Sequence, residues 1–129
     1  MQVHSAKVHF PLALLSGASA LIMMSSATAL ASQGPVGHWR VASGKAIIEI
    51  RPCGGNLCGF VASGGEAVGK QIFFNMKQEG DEWSGTIVDV TDGQHYSGHI
   101  SLVSDSTLKV EGCAMGGLFC GDQKWSRVE

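Results

Sequence analysis

Two close cysteine pairs constrain the fold of this chain more than any other feature of its sequence. The first pair, Cys53 and Cys58, flanks a glycine-rich turn. Before that turn, residues 46–51 alternate between two faces with the period of two that is typical of a half-buried strand. A two-residue turn at Gly55-Asn56, with glycine first, would place the two cysteines opposite each other on a β-hairpin. Opposed residues of an antiparallel pair are close enough for a disulfide.

The second pair is Cys113 and Cys120. Four cysteines allow three connectivities, and a zinc site is the alternative interpretation. The four and six intervening residues do not match the two-residue spacing of zinc knuckles. We therefore predict the disulfides Cys53–Cys58 and Cys113–Cys120, and no metal site.

The first 31 residues have the order of a secretory signal peptide, with one lysine, a short apolar stretch and small residues before the cleavage site. Cleavage is expected between Ala31 and Ser32. A transmembrane anchor is the alternative, but the apolar stretch is too short and too often interrupted. The sequence thus predicts a periplasmic or secreted protein whose single domain covers residues 32–129 and does not insert into the membrane. Export makes disulfides the expected state of the cysteines.

Charge excludes one class of partner. The 98 residues after the predicted cleavage site carry eight lysines and arginines against eleven aspartates and glutamates. Proteins that bind nucleic acid present basic patches, which this balance does not favour. We therefore expect no nucleic-acid partner.

The turn signals predict an all-β fold. About eight short strands alternate with turns rich in glycine, serine and aspartate, and no stretch has helical periodicity. That order favours a small antiparallel up-and-down β-barrel or a sandwich. A barrel of eight strands either fills its interior with side chains or holds one small ligand. A two-residue turn at Gly116-Gly117 would oppose Lys109 to Lys124, so the last hairpin is expected to have a longer loop or a shifted register.

The two ends of the predicted domain carry a closure motif. The first strand contains Gly37-His38-Trp39, and the last contains Arg127. In this the chain resembles the lipocalin and fatty-acid-binding superfamily, and the resemblance implies that Arg127 covers Trp39 at the closed end of the barrel. A guanidinium can stack on an indole while it donates to backbone carbonyls.

A closer resemblance covers nearly the whole of residues 32–129. It is carried, in order, by the closure motif and five further segments: Ile48–Cys53 with Leu57-Cys58-Gly59, Trp83-Ser84-Gly85, Asp92–Gly98, Leu108–Cys113 and Gln123–Val128. These segments resemble the small exported bacterial proteins of the domain of unknown function 2147 family. The resemblance implies a lipocalin-like fold and export. It implies no catalytic residue and no cofactor, since no activity is established for the family.

Other candidate sites have simpler interpretations. His95 and His99 lie four residues apart on a predicted strand, about 13 Å from each other, and cannot share a metal ion. Asp89 and Tyr96 would be opposed across a two-residue Asp92-Gly93 turn, which favours a structural hydrogen bond over an acid/base pair. No nucleophile elbow or phosphate-binding loop accompanies them. The sequence predicts a protein that is not an enzyme.

Apolar residues on two predicted strands are candidates to line a ligand pocket. On the strand at residues 71–77, one face is expected to point inward and Phe73 to point to the other face. The candidate pocket residues are Ile72, Phe74, Met76, Tyr96 and Ile100. The function predicted from them is non-enzymatic binding of a small apolar ligand. The alternative is a protein-interaction module, such as an inhibitor of an extracellular or periplasmic hydrolase.

Overall fold

A computed structural model describes residues 34–117 and 119–128 and shows a closed antiparallel barrel in which each strand pairs with the next along the chain. The predicted signal peptide lies outside the described residues. The eight strands are β1 (Gly37–Arg40), β2 (Ile47–Cys53), β3 (Asn56–Ser63), β4 (Gln71–Glu79), β5 (Glu82–Val88), β6 (His95–Ser104), β7 (Thr107–Ala114) and β8 (Phe119–Arg127). Short 3-10 turns at Gly65–Ala67 and Met115–Gly117 complete the secondary structure of the described residues. The predicted all-β barrel is confirmed.

Because consecutive strands are antiparallel, the connections alternate between the two ends of the barrel. The turns after β2, β4 and β6 lie at the end where β1 begins and β8 finishes, which we call the closed end. The connections after β1, β3, β5 and β7 lie at the other end, which we call the open end. The two disulfides divide between these ends, because one joins β2 to β3 and the other joins β7 to β8.

The first hairpin turns one residue earlier than predicted. Cys53 is paired with Asn56, so the two turn residues are Gly54 and Gly55. The first of them has φ +71°, the left-handed conformation that a turn with glycine first requires at this position. Cys58 therefore lies diagonally across from Cys53, with the Cα atoms 5.6 Å apart, and the predicted disulfide forms in this arrangement.

The last hairpin keeps the register that a turn centred on Gly116-Gly117 implies. Lys109 is opposite Lys124, and strand pairing ends at Ala114 and Phe119, so the connection is four residues long. The predicted longer loop is present, but the register is not shifted. The opposed lysines are tolerated because the Lys109 ammonium lies 3.8 Å from the carboxylate of Asp122, a diagonal neighbour on β8.

Strand β4 corrects the predicted orientation of two phenylalanines. We expected Phe74 to point inward and Phe73 outward, whereas Phe73 is fully buried in the core and Phe74 is half-buried. The reason is a bulge around Asn75, which has φ +52° and shifts the register between β4 and β5. A bulge exchanges the two faces of a strand, so Phe73 and Met76 both point into the core although they are three residues apart.

The core lies inside the barrel. Its members come from every strand except β5: Trp39, Ile48, Ile50, Leu57, Val61, Ile72, Phe73, Met76, Ile100, Leu108, Val110 and Trp125. Phe73 stacks on Trp125 with the ring centroids 5.6 Å apart. Gly59 makes room for this pair, because a Cβ at that position would lie 2.7 Å from the Phe73 ring.

The closed end is sealed by the contact that the closure motif predicts. The Arg127 guanidinium carbon lies 4.3 Å from the centre of the Trp39 ring, and the indole is fully buried beneath it. The guanidinium donates hydrogen bonds to the backbone carbonyls of Asp105, Val36 and Gly34 at 2.6, 2.9 and 2.9 Å. One side chain thereby joins the segment before β1, the β6–β7 turn and the end of β8.

Gly37 explains why glycine opens the closure motif. Its φ is +141°, and a Cβ at this position would lie 2.6 Å from an Arg127 guanidinium nitrogen. A side chain here would require the guanidinium to shift from its observed position. The glycine is therefore part of the seal.

Both disulfides should contribute to stability through the short loops that they close. Replacing Cys53 and Cys58 together by serine should lower the free energy of unfolding by about 2 kcal/mol, and the same change at Cys113 and Cys120 should have a similar effect. Denaturant unfolding measures both losses. Non-reducing peptide mapping should recover the two intra-hairpin bridges, and a peptide joining Cys53 to Cys120 would contradict the structure.

In the described part of the chain, no helix is long and apolar enough to span a bilayer.

Candidate functional site

A cavity of about 400 Å³ lies toward the open end, and strands β5, β6, β7 and β8 form its walls. Strand alternation places most of its walls on the inner face of the barrel. The lining residues are Ile87, Asp89, Tyr96, Val110, Gly112, Gly121, Asp122, Gln123 and Trp125. A cavity of this size is within the range of sites that bind small molecules.

A row of glycines creates the space for this cavity. The glycines are directly opposed across four neighbouring strands: Gly85, Gly98, Gly112 and Gly121. The side chain of Ile87 occupies the place where a Gly98 side chain would lie. At Gly112 the nearest atom is the Tyr96 Cβ, 3.7 Å from an ideal Cβ position, and at Gly121 no described atom lies within 4 Å. The cavity therefore occupies space that side chains would otherwise fill on β7 and β8.

Of the five residues predicted to line a pocket, the structure places one in this cavity. Tyr96 lines it, while Ile72, Met76 and Ile100 are buried members of the packed core. Phe74 does not line it, because the bulge in β4 turns that side chain to the outer face. The four residues other than Tyr96 belong to the packed core or to the outer surface, and they do not line the cavity with Tyr96.

Sequence reasoning missed the wall formed by β7 and β8. Val110, Gly112, Gly121 and Trp125 line the cavity from these strands. One sequence signal was present, because Gly112 and Gly121 each adjoin a cysteine of the second pair. When the two cysteines lie opposite each other, the two glycines must also lie opposite each other. Two opposed glycines on an inner face leave a gap.

The loop after β5 also differs from the prediction. The expected two-residue turn at Asp92-Gly93 is instead a four-residue loop, Val90–Gly93, closed by hydrogen bonds between Asp89 and Gln94 and between Gly93 and Asp89. Tyr96 is consequently opposite Ile87, and not opposite Asp89. The longer loop forms because carboxylates satisfy its backbone: Asp89 accepts from the Thr91 N–H at 2.8 Å, and Asp92 accepts from the Gln94 N–H at 2.9 Å.

These contacts determine the charge at the cavity mouth. Hydrogen bonds from the side chain and the backbone N–H of Thr91 hold the pKa of the Asp89 carboxyl below its ordinary value. Asp89 is therefore a carboxylate at neutral pH. It is half-buried, and it lines the cavity where β5 ends.

A hydrogen bond orients the side chain of Gln123 in the cavity wall. The Trp125 indole N–H donates to the Gln123 side-chain oxygen at 2.8 Å. The Gln123 carbonyl is thus engaged, and its amide N–H groups remain as donors. Trp125 itself is held in place by its stacking on Phe73.

Two polar groups on the outside of the barrel do not extend this site. The His99 Nδ1 atom lies 3.0 Å from the Ser84 hydroxyl and 3.5 Å from a Glu82 carboxylate oxygen, on the outer face of β5 and β6. His95 is exposed. Glu111 lies beside the sulfurs of the second disulfide, and sulfurs bonded to each other are not thiolate ligands for a metal.

Comparison with known proteins supports the fold and the family. A search of curated proteins finds no match to this chain. A solved structure from Helicobacter pylori, described as protein HP1028 of the lipocalin family, superposes with a TM-score of 0.60 and 13% sequence identity over 73% of this chain and 82% of that one. At that identity the likeness shows the fold alone, which is lipocalin-like. The model of the family described as "Uncharacterized protein conserved in bacteria (DUF2147)" matches residues 37–127, from the glycine of the closure motif to the arginine that seals it, and the chain belongs to that family.

Proposed function

We propose that this protein binds a small, largely apolar molecule in the cavity between β5 and β8. The observation that carries the proposal is that packing is uneven along the barrel. Near the closed end, Trp39, Met76 and Leu108 are fully buried, whereas a cavity of about 400 Å³ remains beside Gly112 and Gly121. A concave, mostly apolar site of this size that opens to solvent is typical of a small-molecule binding site.

The lining supports the same function. Ile87, Val110 and Trp125 present an apolar surface, while Asp89 and Gln123 present a few polar groups. Small-molecule sites are mostly apolar, with a small number of polar groups that orient the ligand. We infer a binding role without covalent chemistry, because the hydrogen bonds of Asp89 and Gln123 join them to Thr91 and Trp125, and neither bond pairs a nucleophile with its base.

We also propose that the protein acts in an exported compartment, either the periplasm or the extracellular space. Both disulfides support this location, since structural disulfides persist in oxidising compartments.

Filling the cavity tests the proposed function. In Gly121→Leu, the new side chain extends into space that no described atom occupies, so folding should be retained and ligand binding lost. A thermal-shift screen of small apolar compounds identifies a ligand for the wild type. At one hundred times its Kd, such a ligand should stabilise the protein by about 2.7 kcal/mol, or roughly 10–20 °C in Tm. The shift should disappear in Gly121→Leu.

Ser126→Leu is the matched control, because it adds the same side chain to an exposed position of the same strand. It should keep the ligand-induced shift. An equal shift in wild type and Gly121→Leu would rule out this cavity as the site. If no compound shifts the wild type, the protein-interaction module becomes the better hypothesis.

A further inference from the structure

The described lining of the cavity contains acidic side chains and no basic ones. The only ionised side chain that faces it, among the described residues, is Asp89, and no lysine, arginine or histidine lines it. Asp122 also contributes to the wall, but its neighbours Gly121 and Gln123 occupy the inner face, so its side chain points outward, where it lies 3.8 Å from the Lys109 ammonium. An anionic ligand such as a fatty acid would find no cation in this lining.

We propose that the ligand is a small cationic amphiphile, an organic amine whose positive end lies at Asp89 and whose apolar body lies against Ile87, Val110 and Trp125. This inference rests on the proposed function and specifies the chemical class of its ligand.

The mouth of the cavity has the chemistry that binds an ammonium group. The Asp89 carboxylate accepts from the side chain and the backbone N–H of Thr91, and the two oxygens of a carboxylate together have about four acceptor sites. Hydrogen bonds between ionised partners are roughly twice as strong as neutral ones. The half-buried Tyr96 lines the same cavity, and an aromatic ring within reach of a cation attracts it.

The depth of the cavity suits an apolar body. Trp125 is buried and stacked on Phe73, and its N–H is already engaged by Gln123, so the indole offers a fixed apolar surface. The chain thus places its carboxylate near the entrance and its apolar wall farther in, toward the closed end. A ligand with one charged end and one apolar end would match both.

Three naphthalene compounds of nearly equal size test the charge preference: 1-naphthylmethylamine, 1-naphthylmethanol and 1-naphthoate. Isothermal titration of the full domain at pH 7 and low salt measures their Kd values. The amine should bind about tenfold more tightly than the alcohol, the gain expected from one charge-assisted hydrogen bond, and the carboxylate should bind most weakly.

Two variants at the loop after β5 test whether Asp89 causes the preference for the amine. Asp89→Asn keeps an oxygen for the Thr91 N–H while removing the charge, and it should reduce the preference for the amine over the alcohol to about twofold or less. Asp92→Asn is the control, because Asp92 accepts a backbone N–H in the same way but is exposed and does not line the cavity. It should keep the full preference.

The outcomes separate this inference from the proposed function. If the alcohol or the carboxylate binds as tightly as the amine and Gly121→Leu abolishes that binding, the cavity is a binding site but the cationic class is wrong. If Asp92→Asn lowers the preference as much as Asp89→Asn, the assignment to Asp89 is overturned. If none of the three compounds binds while an uncharged ligand from the thermal-shift screen does, the inference fails and the proposed function stands.

Discussion

Replacing Arg127 by alanine should lower the free energy of unfolding by about 2–4 kcal/mol, which corresponds to a fall in Tm of roughly 10–25 °C for a domain of this size. Three carbonyl groups lose a charged donor in this variant, including those of Val36 and Asp105. Trp39, which is fully buried in the wild type, also loses the guanidinium that covers its ring. The effect should be large because a single side chain holds three chain segments together.

Arg51→Ala is a matched control for that loss. The Arg51 guanidinium also lies over an aromatic ring, 4.1 Å from the centre of Phe60, and it pairs with Glu49 at 3.1 Å. These contacts lie on the exposed surface, where ion pairs and cation–π contacts contribute about 1 kcal/mol or less. Thermal unfolding followed by circular dichroism should therefore show a small change for Arg51→Ala.

A second variant separates charge from geometry at the seal. Arg127→Lys keeps a positive charge, but an ammonium lacks the planar fork that reaches three carbonyls and stacks on the indole. It should recover less than half of the stability that Arg127→Ala loses. Equal losses for Arg127→Ala and Arg51→Ala would show that Arg127 does not seal the barrel.

Replacing Gly85 by alanine should destabilise the protein by about 2–3 kcal/mol, or roughly 10–20 °C in Tm. The added Cβ would lie 2.5 Å from the backbone oxygen of Phe74 and 2.7 Å from that of Asn75. Both oxygens belong to the bulge of β4, so the backbone itself would have to move. Such overpacking outweighs the gain of about 0.4–1 kcal/mol that alanine brings by restricting the unfolded chain.

The same substitution at the other end of the glycine row provides the control. At Gly121 an added Cβ meets no described atom within 4 Å, and the backbone there does not require glycine. Gly121→Ala should leave Tm unchanged or raise it by a few degrees, because only the unfolded-state effect remains. Urea denaturation of both variants tests the pair. Similar midpoints for Gly85→Ala and Gly121→Ala would contradict the packing described around the row.

Patterns in the sequence were sufficient to predict the architecture of the barrel. Alternation and turn residues indicated about eight strands, and the cysteine spacing indicated both disulfides, because each of these signals is local. The closure contact between Trp39 and Arg127 joins the two ends of the barrel, and it was predicted because a motif resemblance supplied the long-range pairing. Local signals and one motif thus specify the barrel and its seal.

The cavity was harder to predict because its position depends on register. The bulge at Asn75 exchanges the faces of β4, and nothing in the alternation before it reveals where the exchange occurs. The four-residue loop after β5 likewise removes Asp89 from its expected place opposite Tyr96. A shift of one residue moves a side chain from the inside of a sheet to the outside, so a small error in a loop changes the lining of a pocket.

The junction between the first and last strands has a consequence for how the barrel comes apart. Only Trp39 with Arg127 and Arg40 with Ser126 are paired there among the described residues, and each disulfide links neighbours elsewhere. Fluctuations can therefore unzip the cylinder into a curled, open sheet without breaking a covalent bond. Amide hydrogen exchange along β1 would follow this lateral route, which exposes the interior from the side while every hairpin stays intact.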